Sequence, residues 1–221
     1  TPFKGGWGGS KTQSLYTAAE LTALGMEAGQ KISSIGWVAI SGTNTPMSGF
    51  TISAGFVTPN TLGTAFIAGA TNTVLAPVVY TPNSPGNIDF TLSNPLLWDG
   101  VSNLLIETCF NNNNSGTGSS IAVECTTVTG LALYKSQDNA ADVCSNTVAP
   151  STSTSRPNLR ISTLENTEIT WSPIAGLFTD AAATVAYVAG TETATVYAKS
   201  ATAGSFAYTA TGTNSATSCT A

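Results

Sequence analysis

Short apolar runs separated by turn residues cover most of the chain. The runs are rich in β-branched and aromatic side chains and end at clusters of Gly, Pro, Asn and Ser, a pattern that predicts β-strands. The clearest predicted strands are 13–16, 32–41, 49–57, 73–80, 88–92, 103–110, 121–128 and 130–135. Regular short strands without helical patterns between them favour a β-sandwich or jelly roll over a parallel α/β sheet.

One helix is predicted near the start of the chain. Thr17 and Glu20 have the spacing of a capping box, in which each side chain accepts a hydrogen bond from the other residue's backbone N–H. Good helix formers follow, and Gly29 is a suitable stop. We therefore expect a helix of two or three turns.

The pattern changes after residue 140 and indicates a second unit. Residues 140–156 are crowded with Ser, Thr, Asn and Pro, a strand resumes at 157–161, and a new series of strands is predicted at 168–171, 184–188, 194–199 and 206–211. The predicted division is a jelly-roll-like β-sandwich with one short helix over residues 1–163 and a smaller immunoglobulin-like β-sandwich over 164–221. Four strands are fewer than the ~7 of an immunoglobulin sandwich, so the second unit is either a smaller complete fold or an incomplete one.

Composition narrows the classes of function. Only 9% of the residues are charged, the net charge is −5, and no Lys/Arg cluster exists to hold a phosphate backbone, so we expect no nucleic-acid partner. No apolar run approaches the ~20 residues of a membrane span, so we expect no membrane insertion. The first residues lack a charged region followed by an apolar stretch, and we expect the chain to be a mature piece of a longer protein.

The four cysteines indicate disulfides rather than zinc. Cys109, Cys125, Cys144 and Cys219 include no C-x-x-C pair, and the chain has no His, so a tetrahedral zinc site is not expected. Disulfides place the chain outside the cytoplasm. If residues 111–119 were the loop of a simple hairpin, Cys109 would face Cys125, but three connectivities of four cysteines remain open.

No residue pattern predicts catalysis. Without His, neither a Ser-His nor a Cys-His pair can form. Glu107 and Glu124 would be neighbours in the hairpin just described, but like Asp89 and Asp99 they are expected to be solvent-facing carboxylates or turn residues. Acidic residues at 138 and 142 lack the D-x-D-x-D-G ladder of a calcium loop. We expect no enzyme activity, no metal and no cofactor.

Several stretches of the chain resemble a known class of surface protein. The stretches WGGSKTQSLYTAAEL (7–21), LWDGVSNLLIE (97–107), CFNN (109–112) and RPNLR (156–160) are similar to the β-sandwich repeat of giant Bacteroidetes cell-surface proteins. The stretches ITWSPIAGLFTDAAAT (169–184) and TVYAK (195–199) are similar to the immunoglobulin-like repeats that alternate with it. The combination resembles adhesins of the gliding-motility and type IX secretion type.

The resemblance implies export to the bacterial cell surface and a disulfide between Cys109 and Cys144, with Cys125 as a local addition. Cys219 could then bond Cys125 or Cys144, stay free, or pair with a flanking repeat. Because boundaries in an array of repeats need not coincide with a closed fold, the second unit could be completed by strand addition from a neighbouring repeat.

We expect a structural or adhesive repeat module of a long secreted adhesin or filament, whose partners are neighbouring repeats and surface glycans. The alternative is a carbohydrate-binding accessory module of a secreted enzyme, because jelly rolls often bind sugars. Trp7 and the predicted loop tip are the candidate ligand contacts, whereas Trp171 is expected to be a core residue. The loop-tip candidates are Asn111, Asn112, Asn113 and Asn114.

Overall fold

The computed structural model describes residues 1–3, 8–112, 120–138, 143–145, 149–164 and 167–214. The chain separates into two compact units, Thr1–Leu164 and Glu165–Ala221. The division predicted at 163/164 lies one residue from this boundary. We call these unit 1 and unit 2 and describe each by itself.

In the described part of the chain the regular secondary structure is nearly all β, with one short helix, as the sequence predicts. Among the described residues the elements are β1 (Gly9–Tyr16), α1 (Ala18–Ala23), β2 (Lys31–Ser41), β3 (Met47–Val57), β4 (Asn72–Tyr80), β5 (Gly86–Leu97), β6 (Asn103–Asn111), β7 (Ala122–Val123), β8 (Cys125–Thr127), β9 (Ala132–Gln137), β10 (Ser151–Thr152), β11 (Ser155–Pro157), β12 (Arg160–Leu164), β13 (Thr167–Ser172), β14 (Leu177–Phe178), β15 (Tyr197–Ala198) and β16 (Thr209–Asn214).

Unit 1 is a sandwich of two antiparallel sheets. The larger sheet has the strand order β10-β9-β1-β6-β3-β4, and the smaller has the order β12-β2-β5 with β7 also paired to β2. One continuous core fills the space between them and contains an aromatic cluster. The ring of Phe50 from the larger sheet lies 6.2 Å from that of Phe90 from the smaller, and the buried Phe3 packs 5.5 Å from Trp37. The residues next to the N-terminus are therefore held in the core.

Helix α1 forms where the capping box predicts it but is shorter than expected. The Glu20 backbone N–H donates to Thr17 Oγ1 at 3.3 Å, and the Thr17 backbone N–H donates to Glu20 Oε2 at 2.8 Å. The predicted end at Gly29 is wrong, because Gly25 adopts a φ of +89° and closes a Schellman motif after Ala23. Within the described ranges, no helix has the length and apolar character needed to cross a bilayer.

The hairpin proposed for residues 103–128 does not form. Strand β6 pairs with β1 and β3, whereas the single strand predicted at 121–128 is divided into β7 and β8. Strand β7 joins β2 in the smaller sheet, and β8 pairs with β11 in a separate two-stranded ribbon. Cys109 and Cys125 consequently lie in different sheets.

Unit 2 consists of two ribbons in the part that is described. Strand β13 pairs with β16, and β14 pairs with β15, so each of these strands has a partner in the same unit. The strand predicted at 184–188 is wrong, since only Ala186 makes an isolated bridge to Phe178. Completion of this unit by a neighbouring strand stays a prediction.

A buried arginine joins three parts of unit 1. The guanidinium of Arg156, in β11, donates to the carbonyl of Leu15 at 2.7 Å, forms a two-pronged ion pair with Glu20 of α1, and lies 4.5 Å from the ring centre of Tyr16. The Tyr16 hydroxyl donates to the carbonyl of Pro157 at 2.7 Å. These contacts fasten the β8–β11 ribbon to β1 and to the start of α1.

We expect Arg156→Ala to lower the free energy of unfolding by about 2–3 kcal/mol, because it removes the ion pair of a buried guanidinium and leaves the Leu15 carbonyl without its donor. The matched control is Arg160→Ala. Arg160 pairs with Asp89 at 3.1 Å, but both side chains are 42% exposed, so the loss should stay below about 1 kcal/mol. Urea unfolding of the two variants measures the difference, and equal losses would contradict the role given to Arg156.

The same ion pair predicts a loss of stability in acid. The hydrogen bond from Arg156 is the main cause that lowers the pKa of Glu20 from 4.5 to about 2, against the opposing effect of burial. Because the folded-state pKa lies below the unfolded one, this stabilisation is present above pH 4.5 and is lost as the pH falls toward 2. The stability difference between the wild type and Arg156→Ala, measured by urea unfolding at a series of pH values, should shrink over this interval. A difference that stays constant would contradict the assignment.

Candidate ligand-binding groove on the six-stranded sheet

The face of the larger sheet that points away from the sandwich core is partly covered, and we call it the outer face. Alternation along β1 and β6 places Leu15 and Leu105 on this face. They form a second, smaller apolar cluster with residues of β3, β9 and the segment between β3 and β4, namely Val57, Leu62 and Leu133, with Phe66 and Ile67 packed against it. The segment before β4 is thereby held against the sheet.

Next to this apolar cluster, three polar side chains lie on the outer face: Lys11, Gln13 and Glu107. Gln13 Nε2 donates to Glu107 Oε2 and to the carbonyl of Ile67, both at 2.8 Å, and the Ile67 N–H donates back to Gln13 Oε1 at 3.0 Å. Lys11 Nζ lies 3.2 Å from Glu107 Oε1 and 5.1 Å from the ring centre of Phe66. The buried Gln13 amide thus acts as a clamp for the segment that carries Phe66.

A disulfide closes the other end of this row. Cys109 of β6 is bonded to Cys144, which is the pairing that the resemblance implied and not the Cys125 alternative. Lys11 Nζ also donates to the carbonyl of Cys144 at 3.3 Å, so the bridge and the ion pair hold residues 143–145 over the sheet. Among the described residues Cys125 has no disulfide partner, and burial raises the pKa of its thiol. Cys219 lies outside the described residues.

These contacts leave a groove of about 380 Å³ on the outer face. Its floor is the row of Lys11, Gln13 and Glu107, and its walls include Phe66 and Pro150. The floor carries one positive and one negative group, which are paired with each other, while an aromatic ring and a proline supply apolar surface. This combination suits an uncharged ligand with both donors and acceptors.

The two predicted ligand contacts that the structure describes, Asn111 and Asn112, do not line this groove. Asn111 ends β6 opposite Gly9, and Asn112 is buried, with its Oδ1 accepting from the Ser48 N–H at 2.8 Å. Asn112 therefore ties the start of β3 to the end of β6 and does not lie on an exposed loop tip. Trp7, Asn113 and Asn114 lie outside the described residues.

The structure confirms the predicted environment of the Asp99 carboxylate but not that of Glu107. Asp99 occupies an exposed turn and accepts from the N–H groups of Val101 and Ser102, as predicted. Glu107 is not a solvent-facing carboxylate, because Lys11 and Gln13 cover it, and it is not a neighbour of Glu124. Glu124 lies between β7 and β8 and accepts a backbone hydrogen bond from Asn158.

Lys11, Gln13 and Phe66 were missed by the sequence analysis. The predicted first strand began at Gln13, so Lys11 was not placed on a strand at all. A strand started at Gly9 would have put Lys11, Gln13 and Leu15 on one face by simple alternation. Phe66 lies between predicted strands, and no periodic signal marks it.

Comparison with known proteins adds no assignment. No protein-family model, no curated protein and no solved structure matches the chain significantly. The resemblance to Bacteroidetes surface repeats therefore stays a prediction.

Proposed function

We propose that the chain is a structural and adhesive module of a long secreted protein of the bacterial cell surface. The supporting observation is the cross-bracing of unit 1. Strand β1 is paired on both edges, with β6 and with β9, and its side chains clamp the segments that cross the outer face. The Cys109–Cys144 disulfide makes one of these clamps covalent, which is compatible with an oxidising extracellular environment.

The bracing matters because a module within a filament carries force along its backbone. The buried Phe3 anchors the chain before β1, and the Arg156 contacts anchor it shortly before β12 and the passage into unit 2. A force applied to the two ends of unit 1 would therefore have to break the packing of Phe3 or the contacts of Arg156 before the strands between them unfold. Unit 2 buries far fewer large side chains, with Leu177 and Tyr187 as its buried hydrophobic residues within the described ranges.

We expect unit 1 to unfold at a higher force than unit 2 when the chain is stretched by its ends in an atomic-force experiment. The disulfide spans a sequence separation of 35 residues, so its reduction should lengthen the released chain of unit 1 by about 120 Å. Cys109→Ser with Cys144→Ser is the control and should show the longer release without reductant. Unfolding of both units at the same low force would contradict a mechanical role.

A carbohydrate-binding module is the second candidate, and the groove beside Phe66 favours it. An aromatic ring next to paired donors and acceptors is suited to a neutral sugar, which offers hydroxyl groups and an apolar ring face. The groove is small enough for one or two sugar units.

If this second function holds, Phe66→Ala should weaken retention on neutral oligosaccharides about tenfold, because a stacked ring contributes roughly 1–2 kcal/mol. A glycan array followed by titration calorimetry measures this. The matched control is Phe206→Ala in unit 2, which removes another partly exposed Phe and should leave neutral-sugar binding at the groove unchanged. Absence of any retained neutral glycan would exclude the second candidate.

A further inference from the structure

Unit 2 presents an aromatic side chain between two adjoining grooves. The Phe206 side chain is 53% exposed, in the segment between β15 and β16. One groove, of about 460 Å³, includes Pro173 and Ser205 in its lining, and the other, of about 400 Å³, includes Thr202 and Gly204. Both grooves share four residues: Lys199, Ser200, Phe206 and Tyr208.

The charged group of this surface is available to a ligand. Lys199 forms no ion pair with any residue within the described ranges, in contrast to Lys11 and Arg156 of unit 1. Its backbone N–H donates to the carbonyl of Gly176 at 2.9 Å, which fixes the position of the residue while its ammonium group stays uncommitted. A lysine without an ion pair and an exposed aromatic residue thus line the same two grooves.

We propose that this surface of unit 2, which we call the Phe206 platform, binds a carboxylated saccharide. The apolar face of a sugar ring stacks on Phe206, the sugar carboxylate pairs with the Lys199 ammonium, and Ser205 lines the same groove. This binding site goes beyond the proposed structural role and does not depend on it. It also differs in charge from the groove of unit 1, where the cation is already paired with Glu107.

The backbone around the platform favours a saccharide over a peptide. An extended peptide gains affinity by pairing its main chain with free N–H and C=O groups of a strand edge. At the platform the N–H of Lys199 donates to the carbonyl of Gly176 at 2.9 Å, and the N–H of Thr202 donates to Ser200 Oγ at 3.1 Å. The short side chains that flank the ring leave it accessible from both grooves. The N–H groups of Lys199 and Thr202 are therefore not available to pair with the main chain of a peptide.

The net charge of −5 does not oppose this assignment at physiological ionic strength. Charges more than about 8 Å away are largely screened by salt, so the net charge of the whole chain has little effect on a ligand at Lys199. Binding should consequently weaken as salt is added, since the new ion pair would lie at the surface.

The test uses the full chain and two pairs of saccharides that differ in charge. One pair is the trimer of galacturonic acid and its methyl ester, and the other is sialyllactose and lactose, so that the two sources of a sugar carboxylate are distinguished. Titration by calorimetry or NMR at millimolar ligand should detect binding of at least one acidic member, about tenfold tighter than its neutral counterpart. Lys199→Gln should abolish this preference, and Phe206→Ala should weaken binding about tenfold.

Matched controls keep each result interpretable. Lys31→Gln removes a cation of unit 1 that makes no ion pair with the described residues, and Phe66→Ala removes the ring of the other groove; neither should change binding of the acidic sugar. The proposal is overturned if no acidic member binds, if its neutral counterpart binds equally well, or if the two platform variants bind as the wild type does. None of these outcomes bears on the force measurements that test the structural role.

Discussion

The Arg156 guanidinium is the contact on which the organisation of unit 1 most depends. It donates to a carbonyl at the end of β1 and to the carboxylate that caps α1, and it lies over the ring of Tyr16, so β11, β1 and α1 meet at one group. Burying a cation is costly unless it is paired and hydrogen-bonded, and Glu20 meets that requirement. The Glu20 carboxylate therefore has two roles. It caps the N-terminus of α1 and also neutralises Arg156 of β11, which is distant in sequence.

On the outer face of the larger sheet, side-chain contacts likewise hold distant segments of the chain together. A sheet that packs one face on a core usually exposes the other to water. In unit 1 the segment before β4 and residues 143–145 lie over that face, held by Gln13, by the disulfide and by Lys11. Because these clamps use side chains of β1 and β6, the two central strands organise both the core and its outer cover. The groove is the space that this cover leaves open.

The fold class and the strands of unit 1 could be predicted because alternation and turn residues are local properties. The capping box at Thr17 and the position of most strands follow from a few neighbouring residues. The pairing of β6 could not, since strand partners are set by packing between distant parts of the chain, and the nearest predicted strand was wrongly chosen. The Lys11–Glu107 ion pair could not be predicted for the same reason. It joins residues 96 positions apart that only the sheet register brings together. In unit 2, short strands and few buried side chains left little periodic signal, and the strand at 184–188 was wrongly predicted.

Charge is scarce in this chain, and unit 1 uses it mainly at junctions between strands and segments. Arg160 of β12 and Asp89 of β5 both lie beside Gly36 of β2, and their ion pair spans that strand. A Cβ at Gly36 would lie only 2.2 Å from Asp89 Oδ1, so the glycine is what lets the carboxylate lie over the central strand. With few charged groups and three of its cations paired with carboxylates, unit 1 offers a surface mainly of hydroxyl and amide groups with weak long-range fields. Recognition by such a surface depends on shape and short-range contacts. A groove lined by an unpaired lysine and an exposed ring, as in unit 2, is therefore a place where a charged ligand can be selected.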